Sequence, residues 1–207
     1  MNTAGTKRIN DPEVRRRQIL EEAMKLFYEK GYDNTSLDDI AASLDITKGL
    51  CYRYFSSKQA LLDEVISEYT QECCADFIPI LQDTTLSISE RLTHILTLLF
   101  HPAKNGSHHD FFHKSGNESI HRQLASTMCT YLVPYAVKAL KSDRLEGHTI
   151  ATSVEKASTK DTSPQVTAQF LLYGMFGIWQ ENRSCTSAML AQFTSMTEQI
   201  LSANNGR

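Results

Sequence analysis

Apolar residues recur along this chain at three- and four-residue spacing almost from end to end, and no alternating run competes with them. The pattern predicts an all-α protein of about nine helices. Asp11-Pro12 reads as a cap with proline at the first helical position, and Leu20, Ala23, Met24 and Phe27 form a stripe that stops at Gly31. Leu37, Ile40, Ala41 and Leu44 give a second, short helix opened by Thr35 or Ser36, each with an Asp three positions on, as in a capping box. Across the turn Leu44-Asp45-Ile46, Thr47 caps a third helix that begins Lys48-Gly49-Leu50. A turn of this kind asks for a left-handed residue, a conformation that Asp adopts less readily than Gly.

Ser56 or Ser57 opens a long fourth helix, striped by Leu61, Leu62, Val65, Ile66, Tyr69, Cys73 and Phe77 and expected to run to Pro79. Ser87-Ile-Ser-Glu90 is a capping box for a fifth helix through Phe100, ended by Pro102. Residues 102–116 are Gly- and His-rich, with a short helix at His108–Lys114. Asn117 caps a seventh helix striped by Ile120, Leu124, Met128, Tyr131, Tyr135 and Leu140, which Pro134 is expected to kink. After a polar, Ser/Thr-rich stretch at 146–163, read as a mobile loop, Ser163-Pro164 reopens helix to about Arg183. Thr186 to about Ser202 makes the last, striped by Leu190, Phe193, Ile200 and Leu201. The penultimate helix is apolar on more than one face, through Val166, Phe170, Leu171, Met175, Phe176, Ile178 and Trp179. Either it is buried all round or it packs on its own domain and on a second copy, with Gly174 and Gly177 permitting close approach.

Charge refines this picture. The net charge is −3, but residues 1–60 hold ten Lys/Arg against nine Asp/Glu, and the remainder eleven against fifteen. Lys7, Arg8 and Arg15–Arg17 cluster ahead of the apolar face of the first helix, as an arm or backbone clamp on a polyanion would, with a solvated charged tail the other reading for Lys7 and Arg8. The five cysteines have no metal-ligand spacing, and their odd number argues against a disulfide framework. The opening residues are polar and charged, unlike a secretory leader, and no apolar run approaches the roughly 20 residues of a membrane span. A cytoplasmic protein is the expectation.

The third helix carries the chemistry. Cys51, Tyr54 and Phe55 are placed to face inward or sideways, leaving Lys48, Leu50, Tyr52 and Arg53 outward where a core helix would be apolar. Lys and Arg pair with guanine edges or phosphates, Tyr with phosphate, and Leu with a thymine methyl. Gly49 weakens its helix, which suits close approach of another surface. Lys58 puts a cation in the first turn of the fourth helix, against the macrodipole, as expected if a phosphate docks there. Two short helices with such a second member are the layout of a helix-turn-helix that enters the DNA major groove. A helical hairpin with a solvated basic face is the other reading.

Thr35-Ser36-x-x-x-Ile40-Ala41, followed by Lys48-Gly49-x-x-Tyr52-x-Tyr54-Phe55-x-Ser57-Lys58-x-x-Leu61, resembles the N-terminal domain of the tetracycline-repressor (TetR) family of bacterial transcriptional regulators. The resemblance covers about residues 12 to 66, and departs at Asp45, where Gly is usual, and at Leu50, where a small hydroxyl residue is common. It implies a three-helix DNA-binding domain over 1–60 and a helical effector-binding and dimerisation domain over 61–207, joined by the fourth helix. It also implies that Ser36, Thr47, Tyr52, Tyr54 and Lys58 hold phosphates, while Lys48, Gly49, Leu50 and Arg53 meet base edges. The last two helices would form a four-helix dimer interface.

Phe111, Phe112, Met128, Tyr131, Tyr135, Phe170, Tyr173 and Trp179 are aromatic or polarisable residues on helices expected to converge, which describes a small-molecule pocket as well as a core. The resemblance implies an effector pocket there without naming a ligand. His109 and His113 are one helical turn apart beside His108 and Asp110, but lack a third committed ligand, so no metal site is expected and no cofactor. No nucleophile–base pair, phosphate-binding glycine loop or paired carboxylates suggest an enzyme. The expectation is a dimeric DNA-binding regulator, a repressor released from a palindromic operator by a small molecule. The alternative is a helical interaction or ligand-carrier protein that binds no DNA.

Overall fold

The structure, a computed structural model, describes residues 11–101, 107–146, 163–182 and 184–204. Among the described residues all regular structure is helical: α1 Pro12–Lys30, α2 Leu37–Ser43, α3 Lys48–Tyr54, α4 Lys58–Gln82, α5 Ile88–Phe100, α6 Ser107–Phe112, α7 Glu118–Glu146, α8 Pro164–Glu181 and α9 Ser187–Asn204. Lys7 and Arg8, and the polar stretch after Glu146 as far as residue 162, lie outside the described residues. The chain divides into two compact units. Of the described residues, those up to Tyr69 with 107–118 form the first, and those from Thr70 to 101 with 119–204 form the second. Helix α4 contributes to both.

In the first unit the α1 stripe of Ile19, Leu20, Ala23, Met24 and Phe27 is buried with Leu37, Ile40 and Ala41 of α2, Cys51 of α3, and Leu61, Leu62, Val65 and Ile66 of α4. Asp11 caps α1 by accepting the Glu13 N–H at 3.0 Å, with Pro12 following as the sequence suggests. Gly31 ends the helix at φ 88, a conformation that a side chain would strain. Helix α6 belongs to this unit and packs on α1. Phe111 stacks on Phe27 with ring centroids 6.0 Å apart, Phe112 on Tyr69 at 4.8 Å, and Lys114 Nζ donates to the Tyr28 carbonyl at 3.1 Å.

In the second unit α5 packs against α8 and α9, burying Ile88, Leu92, Ile95, Leu96 and Leu99. Hydroxyls stitch α5 to α9: Thr93 and Thr194 meet at 2.7 Å, and Ser89 donates to Glu198 at 3.4 Å. Arg91 is fully buried, donating from Nε to the Leu86 carbonyl at 2.8 Å and from Nη1 to the Leu81 carbonyl at 3.2 Å. This explains a difference from the sequence reading, since α4 does not stop at Pro79 but runs to Gln82. Proline inside a helix removes one N–H, but here the next turn is secured by burial of Leu81 and by Arg91 on its carbonyl. Pro134 lies inside α7, as the sequence places it.

Candidate nucleic-acid interface

Helix α2 is fixed at its start by a complete capping box: Ser36 Oγ accepts from Asp39 N–H at 3.1 Å, and Ser36 N–H donates to Asp39 Oδ2 at 2.7 Å. The Ser36 hydroxyl and backbone N–H hold the Asp39 carboxyl below its ordinary range. Thr35, buried, donates to the Gly31 carbonyl at 2.8 Å and so ties the loop to the end of α1. Ser36 is thus the cap and Thr35 the tether. The turn leaves α2 through Asp45 at φ 51, the single non-glycine residue of positive φ among the described residues, with its N–H on the Ala42 carbonyl and that of Ile46 on the Ala41 carbonyl. Asp therefore adopts the left-handed position, at some cost that a glycine would avoid. Thr47 Oγ1 then caps α3 by accepting from Leu50 N–H at 3.3 Å.

Helix α3 presents two faces. Cys51 and Phe55 are buried, and burial raises the Cys51 thiol pKa. Lys48, Gly49, Tyr52 and Arg53 are exposed, Leu50 and Tyr54 half-buried. A Cβ built at Gly49 meets nothing within 4 Å, so nothing within this chain occupies the space that glycine leaves open. The exposed cations are not all idle. Lys48 Nζ forms an ion pair with Asp38 of α2 and lies 5.7 Å from the Tyr52 ring centroid, and its pKa is raised, chiefly by that hydrogen bond to Asp38. Sequence spacing does not expose the Asp38 contact, because it spans ten residues across a turn whose geometry has to be known first.

Lys58, in the first turn of α4 as the sequence suggests, is engaged as well: its ammonium donates to the Tyr32 carbonyl at 2.7 Å and the Asp33 carbonyl at 3.3 Å, over the Tyr32 ring at 4.3 Å. Ser57 is the cap beside it, accepting from Ala60 N–H at 3.0 Å. Ser36, Tyr52 and Lys58 line one hollow of about 450 Å³ with Asp33, Ser56 and Ser57, where the starts of α2 and α4 converge. Thr47, Lys48, Gly49, Leu50, Arg53 and Tyr54 do not line it. Arg16 sits over the Phe55 ring at 5.1 Å and pairs with Glu64 at 2.8 Å, while Arg17 is exposed.

The eight aromatic or polarisable residues expected around a ligand are divided by the structure. Phe111 and Phe112 are fully buried in the first unit, and the other six belong to the second. There, Met128 and Trp179 are buried, Trp179 against Phe176 at 5.9 Å and His121 at 4.4 Å between ring centroids. Tyr131 and Tyr135 are half-buried neighbours at 6.0 Å. Phe170 and Tyr173 point outward, 63% and 47% exposed. His109 and His113 lie with ring centroids 4.2 Å apart and planes tilted by 31°, and among the described residues no three metal-ligating side chains cluster. Burial pushes Cys129 up to about 12 and Cys74 higher still, so neither is a ready thiolate.

A capped helix, a left-handed turn and a second helix with a buried back and an open, basic front define a helix-turn-helix reading head carried on a helical protein. Residues 19–65 match the model of the bacterial regulatory proteins of the tetR family. That match spans less than a quarter of the chain, and over it the chain is similar to the DNA-binding domain of the tetR family. Over 61 residues it is 41% identical to the "Biofilm operon icaADBC HTH-type negative transcriptional regulator IcaR" of Staphylococcus aureus, a match spanning 30% of each chain. Over 51 residues it is 49% identical to the HTH-type transcriptional regulator YuxN of Bacillus subtilis, spanning 25% of this chain and 18% of that one. The similarity to these relatives thus covers less than a third of their length. Fold likeness runs further. A TetR-family regulator from Pectobacterium atrosepticum superposes with TM-score 0.58 at 22% identity, over 94% of this chain and 96% of that one. RolR in complex with resorcinol gives 0.59 at 17% identity, over 94% and 95%. Among the described residues no helix is long and apolar enough to cross a membrane.

Proposed function

We propose that this chain is a DNA-binding transcriptional regulator that acts as a dimer and represses until a small molecule releases it. The observation that carries the reading is the front of α3: Lys48, Gly49, Tyr52 and Arg53 stand exposed together on a helix held in place by the Thr47 cap and the buried Cys51 and Phe55. Arg53 and Lys48 would read base edges, while Ser36, Thr47, Tyr52, Tyr54 and Lys58 would position the backbone. Repression is supported by IcaR, described as a negative regulator, and response to a small ligand by RolR, known in complex with resorcinol.

Dimerisation through α8 and α9 is supported by an apolar face that water would otherwise cover. Val166, Phe170 and Tyr173 recur along α8 at helical spacing, all exposed, with Met196 of α9 exposed as well. Built Cβ atoms at Gly174 and Gly177 meet nothing within 4 Å, so a second pair of helices has room to approach closely. The effector site belongs in the second unit, where Tyr131, Tyr135 and Trp179 bring polar-tipped aromatics onto α7 and α8. Helix α4 contributes to both units and is the element through which occupancy would reach Lys58.

Selection of retained duplexes from a random pool tests this. The expected product is a roughly palindromic site with half-sites about one helical turn apart or slightly more, bound by two chains. Retention of no preferred sequence overturns the DNA-binding reading in favour of a carrier or interaction protein. Specific binding by a monomer at micromolar concentration overturns the dimer. A ligand that binds equally well with and without the selected duplex overturns effector control, because linkage requires the two affinities to change by the same factor.

A further inference from the structure

Lys48 is the first residue of α3, where its ammonium opposes the positive end of its own helix. Asp38 lies in the first turn of α2, where a carboxylate is favoured by the positive end of that helix. The turn at Asp45 brings the two together: Lys48 Nζ is paired with the Asp38 carboxylate on one side and faces the Tyr52 ring at 5.7 Å on the other. The foremost cation of the reading helix is therefore already engaged before any duplex arrives. Both side chains remain more than half exposed, 62% for Lys48 and 51% for Asp38, so the pair is open to exchange with an incoming acceptor.

Resting on the DNA-binding reading above, we infer that Asp38 is a specificity-determining positioning residue, which holds Lys48 in line for a base edge and back from the phosphates of non-cognate duplex. An ammonium has three N–H donors, so on a matched site Lys48 donates to the O6/N7 edge of guanine while keeping its bond to the carboxylate. On a loosely held duplex it must leave the carboxylate to reach a phosphate oxygen, and only there is the pair lost. The carboxylate thus suppresses loose binding more than selected binding. Net charge works in the same direction, since a chain at −3 has little long-range attraction for DNA and relies on local exchange of partners.

The test is a double-mutant cycle on the full chain with two duplexes, one retained from a random pool by the wild-type protein and one of scrambled sequence. Asp38→Asn removes the charge at nearly constant shape and leaves the Ser36–Asp39 capping box untouched. The variant should bind the scrambled duplex about three- to tenfold tighter, with a salt slope steeper by roughly one counterion, and the selected duplex within about twofold of wild type. In a Lys48→Ala background the gain from Asp38→Asn should shrink below about twofold, leaving only direct repulsion of phosphate by the carboxylate. A merely structural Asp38 would instead lower the thermal midpoint and weaken both duplexes in either background. An equal change on the two duplexes, or an undiminished gain in the Lys48→Ala background, overturns the inference while leaving DNA binding intact. Failure of the wild-type chain to retain any duplex overturns the DNA-binding reading, and this one with it.

Discussion

Replacing Lys58 by alanine separates two roles that the same side chain could fill. Its ammonium, on the first residue of α4, makes one short charge-assisted bond to the Tyr32 carbonyl at 2.7 Å, one long bond to the Asp33 carbonyl at 3.3 Å, and a cation–π contact at 4.3 Å. A hydrogen bond to a charged group contributes about 1.5–3 kcal/mol net, and an exposed cation–π contact about 0.5–1 kcal/mol. Lys58 is only half-buried, so water replaces part of what is lost, and the expected cost of Lys58→Ala is about 1–2 kcal/mol. It should be local, because the carbonyls belong to the loop that presents Ser36, the cap of α2. Amide hydrogen exchange on the full chain is the assay: residues 31–44 should exchange roughly tenfold faster, while α5 and α9 stay unchanged. Binding should weaken alike on every duplex, with a salt slope flatter by about one counterion. Unchanged exchange over 31–44 would refute the claim that this ammonium holds the loop, whatever happens to DNA binding.

The Arg16–Glu64 pair predicts an acid-sensitive first unit. The Arg16 hydrogen bond holds the Glu64 pKa below its ordinary 4.5, so its contribution is present above that value and is lost as pH falls through the lower folded one. Glu64→Gln should cost no more than about 1 kcal/mol near neutral pH, both groups being about one-third exposed, and the difference from wild type should vanish once the pH has fallen through the lowered Glu64 pKa, when stability is followed against pH. Arg91→Met should lower the unfolding free energy measured in urea by about 1–3 kcal/mol, through the Leu81 and Leu86 carbonyls left without their donor. Arg91→Lys should be at least as costly, since one ammonium cannot span both carbonyls yet keeps the charge buried. A silent Arg91→Met would mean that α4 ends at Gln82 without help from that side chain.

The parts of this fold that were legible in the sequence are those fixed by local chemistry. Asp11-Pro12, the Ser36–Asp39 box, Thr47 and the Ser87–Glu90 box each satisfy backbone N–H groups within three residues, so spacing alone finds them. The buried and open faces of α3 follow from the same short-range periodicity. What was not legible depends on contacts far apart in the chain. Pro79 looks like a stop until Arg91, ten residues beyond Leu81, is seen to secure the turn that follows it. Phe111 and Phe112 carry no mark to say which core they fill, and an aromatic residue suits a pocket wall and a packed interior equally well. The structure sets them against Phe27 and Tyr69.

The same division bears on how the reading head would work. Three basic residues of the first unit, Arg16, Lys48 and Lys58, are engaged within the protein: with Glu64, with Asp38, and with two backbone carbonyls. The two ion pairs leave their groups about a third to nearly two-thirds exposed, the regime in which internal attraction and attraction to an outside acceptor are of similar size. Binding DNA would then be an exchange of partners rather than a capture of bare charge. Exchange returns counterions to solution only where a protein carboxylate does not inherit them, so the salt slope should count fewer phosphates than a contact map would. It also makes geometry matter more than charge, because an acceptor must be close and well aligned to displace one already in place. A chain with net charge −3 gains from this arrangement, since the selectivity of its basic residues comes from what they must give up.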